Sequence, residues 1–87
     1  MTDQAFQARF SAETTALIRT AMSEPDRKLL HGAVDQASRD PWSWPQADRY
    51  DLDDSVREIT LPGIIAHYVI LPDPPVPHLW FLAVIVH

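Results

Sequence analysis

Residues 56–71 read VREITLPGIIAHYVIL, and this stretch decides the fold. Val56 to Leu61 is a strand-length run. Pro62-Gly63 then breaks it with proline before glycine, the order a type II turn prefers because proline pre-sets a negative φ and glycine tolerates a positive one. Ile64 to Leu71 is the return strand. A two-residue turn sets Leu61 against Ile64, Glu58 against His67 and Arg57 against Tyr68. Alternation then puts Val56, Glu58, Thr60, Ile65, His67 and Val69 on one face, and Arg57, Ile59, Leu61, Ile64, Ala66 and Tyr68 on the other.

Beyond this hairpin, residues 72–77 (PDPPVP) form a stiff loop that excludes strand pairing. Leu79 to Val86 (LWFLAVIV) is a last strand. It is apolar at every position, as residues 64–71 nearly are, whereas a strand covered on one side alternates apolar and polar. Upstream, QAFQARF (4–10) alternates weakly and reads as a short strand. Ser11 is an N-cap for a helix over 12–22, with Glu13 in the first turn where its charge favours the helix dipole. Its stripe is Thr14, Leu17, Ile18, Ala21 and Met22. Ser23-Glu24-Pro25-Asp26 punctuates, and proline suits the first turn of a second helix over 25–39. Leu29, Leu30, Ala33, Val34 and Ala37 form that helix's stripe, while Arg27, His31, Asp35 and Arg39 make a charged row opposite. Asp40-Pro41 ends it. The order is β-α-α-β-β-β. One α+β domain over 1–87 is expected, a helical hairpin packed on one face of a mostly antiparallel sheet whose central members include 64–71 and 79–86.

Composition narrows the function classes. The 87 residues carry twelve acids against seven lysines and arginines, a net charge of −5, and the cations are scattered. Tight nucleic-acid binding works through clustered cations and counterion release, so it is disfavoured. The absence of cysteine removes disulfides and thiolate metal sites and fits a reducing compartment. Met1-Thr2-Asp3-Gln4 has an acid and no basic cluster, which argues against a secretory leader. The longest apolar run, Leu79 to Val86, is far short of the ~20 residues of a membrane-spanning helix. A soluble cytoplasmic protein with no membrane partner is expected.

Several phrases resemble the RelE/ParE toxin superfamily of bacterial toxin–antitoxin systems. RFSAETTALI is similar to the family's opening strand and first helix, and QASRDPW to the end of its second helix. SVREITLPG, IIAHYVI and LWFLAVIVH are similar to its last three strands, so the resemblance runs from about residue 5 to 87. It implies a toxin that cuts mRNA or poisons gyrase and is silenced by an antitoxin. Residue by residue, Arg57 matches the cation opening the family's second strand, Tyr68 the tyrosine of its third, and His87 a histidine ending the last. The departures bear on activity. RNA-cleaving members carry an arginine three residues before that tyrosine, where this chain has Ile65. Basic or tyrosine-bearing residues that follow the last strand in ribosome-dependent members are not in this sequence. Without those cations, charge developing on phosphate has little to stabilise it. The resemblance therefore implies toxin-like ancestry with mRNA-cleaving activity weakened or lost, and leaves open a non-enzymatic module of the same fold acting as a homodimer.

The candidate catalytic residues are Arg57, Glu58, His67, Tyr68 and His87. Glu58 beside His67 orients and charges an imidazole for acid–base work, or else forms a cross-strand polar pair worth under about 1 kcal/mol. His31, His67, His78 and His87 lack ligand spacing, and Asp48, Asp51, Asp53 and Asp54 lack the glycine and distal glutamate of a calcium loop. No metal and no cofactor is expected. Trp42 and Trp44 either anchor a partner or fold back to cap the helical hairpin. The sharpest expectation is a partner surface. Two helices shield one face of the sheet, leaving Ile65 and Val69 with Trp80, Leu82, Val84 and Val86, depending on the parity of the last strand. Either the 41–54 loop covers these, or a second chain does, an antitoxin-like protein or another copy.

Overall fold

The computed structural model describes residues 6–47, 54–72 and 76–87. Their order is β1 (Gln7–Phe10), α1 (Ala12–Ala21), α2 (Glu24–Arg39), a 3-10 turn (Pro41–Ser43), β2 (Val56–Leu61), β3 (Ile64–Leu71) and β4 (His78–Val86). The fold is α+β in the expected β-α-α-β-β-β order. The strands form one sheet in the order β1-β4-β3-β2, antiparallel except for the parallel β1–β4 pair. Helices and strands start and stop within a residue of the sequence reading, apart from the first strand, which begins at Gln7; residues 4 and 5 of the expected strand lie outside the described residues. No helix among the described residues is long and apolar enough to cross a membrane.

Local chemistry explains the boundaries. Ser11 Oγ accepts from the Thr14 amide at 3.1 Å and Ser23 Oγ from the Asp26 amide at 3.3 Å, so each helix starts on a serine cap. Proline in the first turn of α2 removes no hydrogen bond the helix would make. The link is a single turn, closed by Arg27 Nη1 donating to the Arg19 carbonyl at 3.1 Å.

The helices cover one face of the sheet, unequally. α2 buries Leu30, Ala33 and Ala37 with Val34 alongside, a true i, i+3, i+4, i+7 stripe. Leu29 belongs to the expected stripe but lies one position off that line and is exposed. α1 buries none of its own residues. Only Ile18 and the capping Met22 reach the core, and Leu17 and Ala21 face solvent; α1 meets the sheet chiefly at β4. Beneath the helices, Ile59, Ile64, Tyr68, Leu79 and Phe81 are fully buried.

The hairpin register is the expected one: Leu61 opposite Ile64, Glu58 opposite His67, Arg57 opposite Tyr68. The turn has Gly63 at φ 76°, and the chain end docks on it through the His87 amide, which donates to the Gly63 carbonyl at 2.9 Å. In β4 the alternation is broken. His67 pairs with Ala83 but Tyr68 pairs with Phe81, so Leu82 is an extra residue at a β-bulge. Leu79 and Phe81 therefore face the helices together with Val84 and Val86, odd positions on one side of the bulge and even positions on the other.

Replacing Gly63 with alanine should cost about 1–2 kcal/mol, since φ 76° disfavours any side chain and the added Cβ would lie 3.1 Å from the His87 carbonyl oxygen. Thermal melts of the two proteins give this difference directly.

Candidate functional site

The five candidate catalytic residues do not gather in one place. Arg57 and Tyr68 are a cross-strand pair on the helix side of the sheet. Tyr68 is fully buried, and its hydroxyl donates to the Pro41 carbonyl at 2.6 Å. Burial pushes its pKa up to about 12, with the Arg57 guanidinium pulling down and Asp40 adding to the rise. Arg57 Nη1 donates to the Trp44 carbonyl at 3.1 Å, and its guanidinium sits 4.6 Å from the centre of the Trp42 ring. Both groups thus hold residues 41–44 against the sheet. A phenol with its hydroxyl tied to a backbone carbonyl inside the core is out of reach of any substrate.

Glu58 and His67 stand on the opposite face, away from the helices. His67 is buried and its Nε2 lies 2.9 Å from Glu58 Oε1. Thr60 donates to the other carboxylate oxygen at 3.0 Å. Alternation placed this pair correctly. Its geometry suits a histidine held in one orientation by a carboxylate, with Ala83 and Ile65 as neighbours on the sheet. His87 is at the far end of the hairpin beside Gly63 and is exposed. Among the described residues, no three histidine, aspartate or glutamate side chains converge as a metal site would need. Of the aspartates weighed against a calcium loop, Asp48, Asp51 and Asp53 lie outside the described residues, and Asp54 is exposed.

Around this pair the open face is apolar, with a membership the bulge alters. Ile65, Val69 and Trp80 are half-buried there, and Leu71, Leu82 and Ile85 are 37%, 42% and 45% exposed. Val84 and Val86, expected on this surface by unbroken alternation, belong to the core side, and Ile85 takes their place. Trp42 is half exposed against the Arg57 guanidinium, while Trp44 packs against the core that α2 and Met22 share with the sheet. Residues 45–47 run beside β2, with the Ala47 amide donating to Val56 and the Glu58 amide to Pro45, both at 2.9 Å. This described part of the 41–54 loop lies along the β2 edge and leaves Leu82 and Ile85 uncovered.

A second concave feature was not anticipated. Ala8 and Phe10 of β1, Ile18 of α1, and Leu30 and Val34 of α2 line a groove of about 370 Å³ with Arg27 and His31 at its mouth. In the sequence Arg27 and His31 read as part of a solvated row. The available signal was that Arg27, His31 and Val34 also share an i, i+4, i+7 line.

Comparison with protein-family models gives no match, and neither does comparison with curated proteins.

Two measurements check this assignment of roles. Tyr68 has a folded pKa above the ordinary 10, so its contribution is complete below pH ~10 and is lost as pH rises toward about 12, where the unfolded chain ionises first. Denaturant unfolding should show stability falling across that window by up to ~1.4 kcal/mol per pH unit. Tyr68→Phe should flatten that part of the profile and cost about 1–2 kcal/mol at neutral pH. For the other pair, a double-mutant cycle of Glu58→Ala and His67→Ala should return a coupling of about 1 kcal/mol. A value near zero would mean the contact does not hold the imidazole.

Proposed function

We propose that the chain works as a protein-binding domain, a toxin-like scaffold of the RelE/ParE kind whose chemistry is weakened or lost and whose open sheet face is covered by a second chain. The observation carrying this reading is the division of labour across the sheet. Tyr68 and Arg57, the residues that match the family's functional positions best, are spent on holding Pro41 and Trp44. The face they leave free is apolar around the Glu58–Thr60–His67 network.

Energetics supports the same reading. Fully burying a leucine or isoleucine is worth about 1.5–3 kcal/mol, so the exposed parts of Leu71, Leu82 and Ile85 forgo about 1 kcal/mol each. For a domain whose net stability is on the order of 5 kcal/mol, covering that patch is a large gain. The partner is either another copy of the chain or an antitoxin-like polypeptide. The cytoplasm is the compartment in which such a pair would meet.

A second reading, an mRNA-cleaving toxin, rests on the sequence resemblance and leaves the Glu58–His67 pair to carry the chemistry, since His87 lies at the far end of the hairpin. Expression in a bacterial host separates the two. Growth arrest relieved by the product of an adjacent gene supports the toxin, and unaffected growth supports the binding module.

For the preferred reading, sedimentation at micromolar concentration should show a dimer or a stable complex with a co-purified protein. The double variant Leu82→Ser, Ile85→Asp should abolish the association; it also gives up the buried half of each side chain, so a stability loss of about 2 kcal/mol accompanies it, and circular dichroism checks that the variant stays folded. A wild-type chain that stays monomeric, binds no hydrophobic dye and captures no protein would end the proposal.

A further inference from the structure

The groove between β1 and the helical hairpin is independent of the open sheet face and has no role in the reading above. Its origin is the uneven packing of the helices. α1 sends only Ile18 and its cap Met22 inward, so the space between α1, α2 and β1 is lined but not filled. Phe10 stacks on Phe81 with ring centres 4.5 Å apart and planes at 14°, which gives the groove a flat aromatic base on the fully packed sheet. Ile18, Leu30 and Val34 form its walls. At about 370 Å³ it falls within the size range of small-molecule sites, which are apolar with a few polar groups at fixed places.

The polar groups here are cationic or N–H donors. Arg27 and His31 lie one turn apart on α2 and both border the groove. Arg27 uses one N–H on the Arg19 carbonyl, and a guanidinium has five. Lys28 and Glu24 stand on the adjoining surface with Arg27 and His31. The cations attract a single negative charge, while Glu24 opposes a doubly charged group such as phosphate. An apolar body with one carboxylate is the complement: a guanidinium and a carboxylate make strong, directional hydrogen bonds. At ~30 Å³ for each water-sized group, the space holds roughly a dozen heavy atoms.

We propose that this groove binds a small apolar carboxylate, a medium-chain fatty acid or an arylalkanoate. Its body lies on Phe10 between Ile18, Leu30 and Val34, and its carboxylate rests on Arg27 and His31. The ligand restores the dispersion contacts that the groove's lining lacks.

Titrating the full chain with sodium octanoate, followed by two-dimensional amide NMR, tests this. Saturable shifts at Phe10, Ile18, Leu30 and Val34 with a Kd of about 1 mM are expected. Octanamide, which has the same body without the charge, should bind about tenfold more weakly, and octanoate should lose a similar factor on Arg27→Gln. Ile18→Trp fills the space and should abolish binding. If that variant fails to fold, the exposed Arg27→Gln change and the octanamide comparison decide alone. Shifts centred on Ile65 and Ile85, equal affinity for octanamide, indifference to Arg27→Gln, or no saturable binding would each overturn the proposal.

Discussion

The Tyr68 hydroxyl donates to the Pro41 carbonyl at 2.6 Å inside the core, and the position of the chain beyond α2 depends on that bond. A buried phenol without a partner would lose on the order of 1–3 kcal/mol, so the chain leaving α2 is drawn down onto the centre of β3. Once Pro41 is there, Trp42 falls over Arg57 and the Trp44 carbonyl meets the same guanidinium. Residues 45–47 then continue along β2 and occupy its outer edge. An aromatic hydroxyl and a cation that the sequence offered as candidate catalytic groups are thereby turned into the attachment of a loop.

This attachment separates two surfaces with different chemistry. On the helix side, aliphatic and aromatic side chains from β2, β3 and β4 meet α2 closely and α1 sparsely, which leaves the groove at the β1 end. On the other side, Glu58, Thr60 and His67 form a small polar network among half-exposed apolar residues. A hydrogen bond between a carboxylate and a buried imidazole gains strength where water is excluded, so a partner covering the open face would also tighten this pair.

The bulge at Leu82 shows how a local irregularity redraws a surface. Alternation has a period of two, so one extra residue reverses the facing of every residue beyond it. In β4 the reversal keeps Leu79, Phe81, Val84 and Val86 all on the core side and leaves Leu82 and Ile85 outside. A run that is apolar at all its positions carries no internal mark of where such a break falls.

The sequence by itself determined the parts of this protein that depend on neighbours along the chain. The Ser11 cap, the Pro25 start, the Asp40-Pro41 stop and the Pro62-Gly63 turn act over a few residues, and each lies where it was read. The two-residue turn also carried the register of Glu58 with His67 and Arg57 with Tyr68, since turn length dictates which residues face each other. Only the tertiary structure decided which of these side chains are accessible. Leu29 and α1's Leu17 are exposed although they sit in apolar stripes, because a stripe gives a direction and the partner surface decides how wide a band is covered. Tyr68 and Arg57 became structural because residues 41–44, far away in sequence, supply a carbonyl at each of their polar ends. The facing of β4 and the groove beneath α1 follow from strand pairing and helix placement, which arise from packing between elements and leave no local signature in the residues that form them.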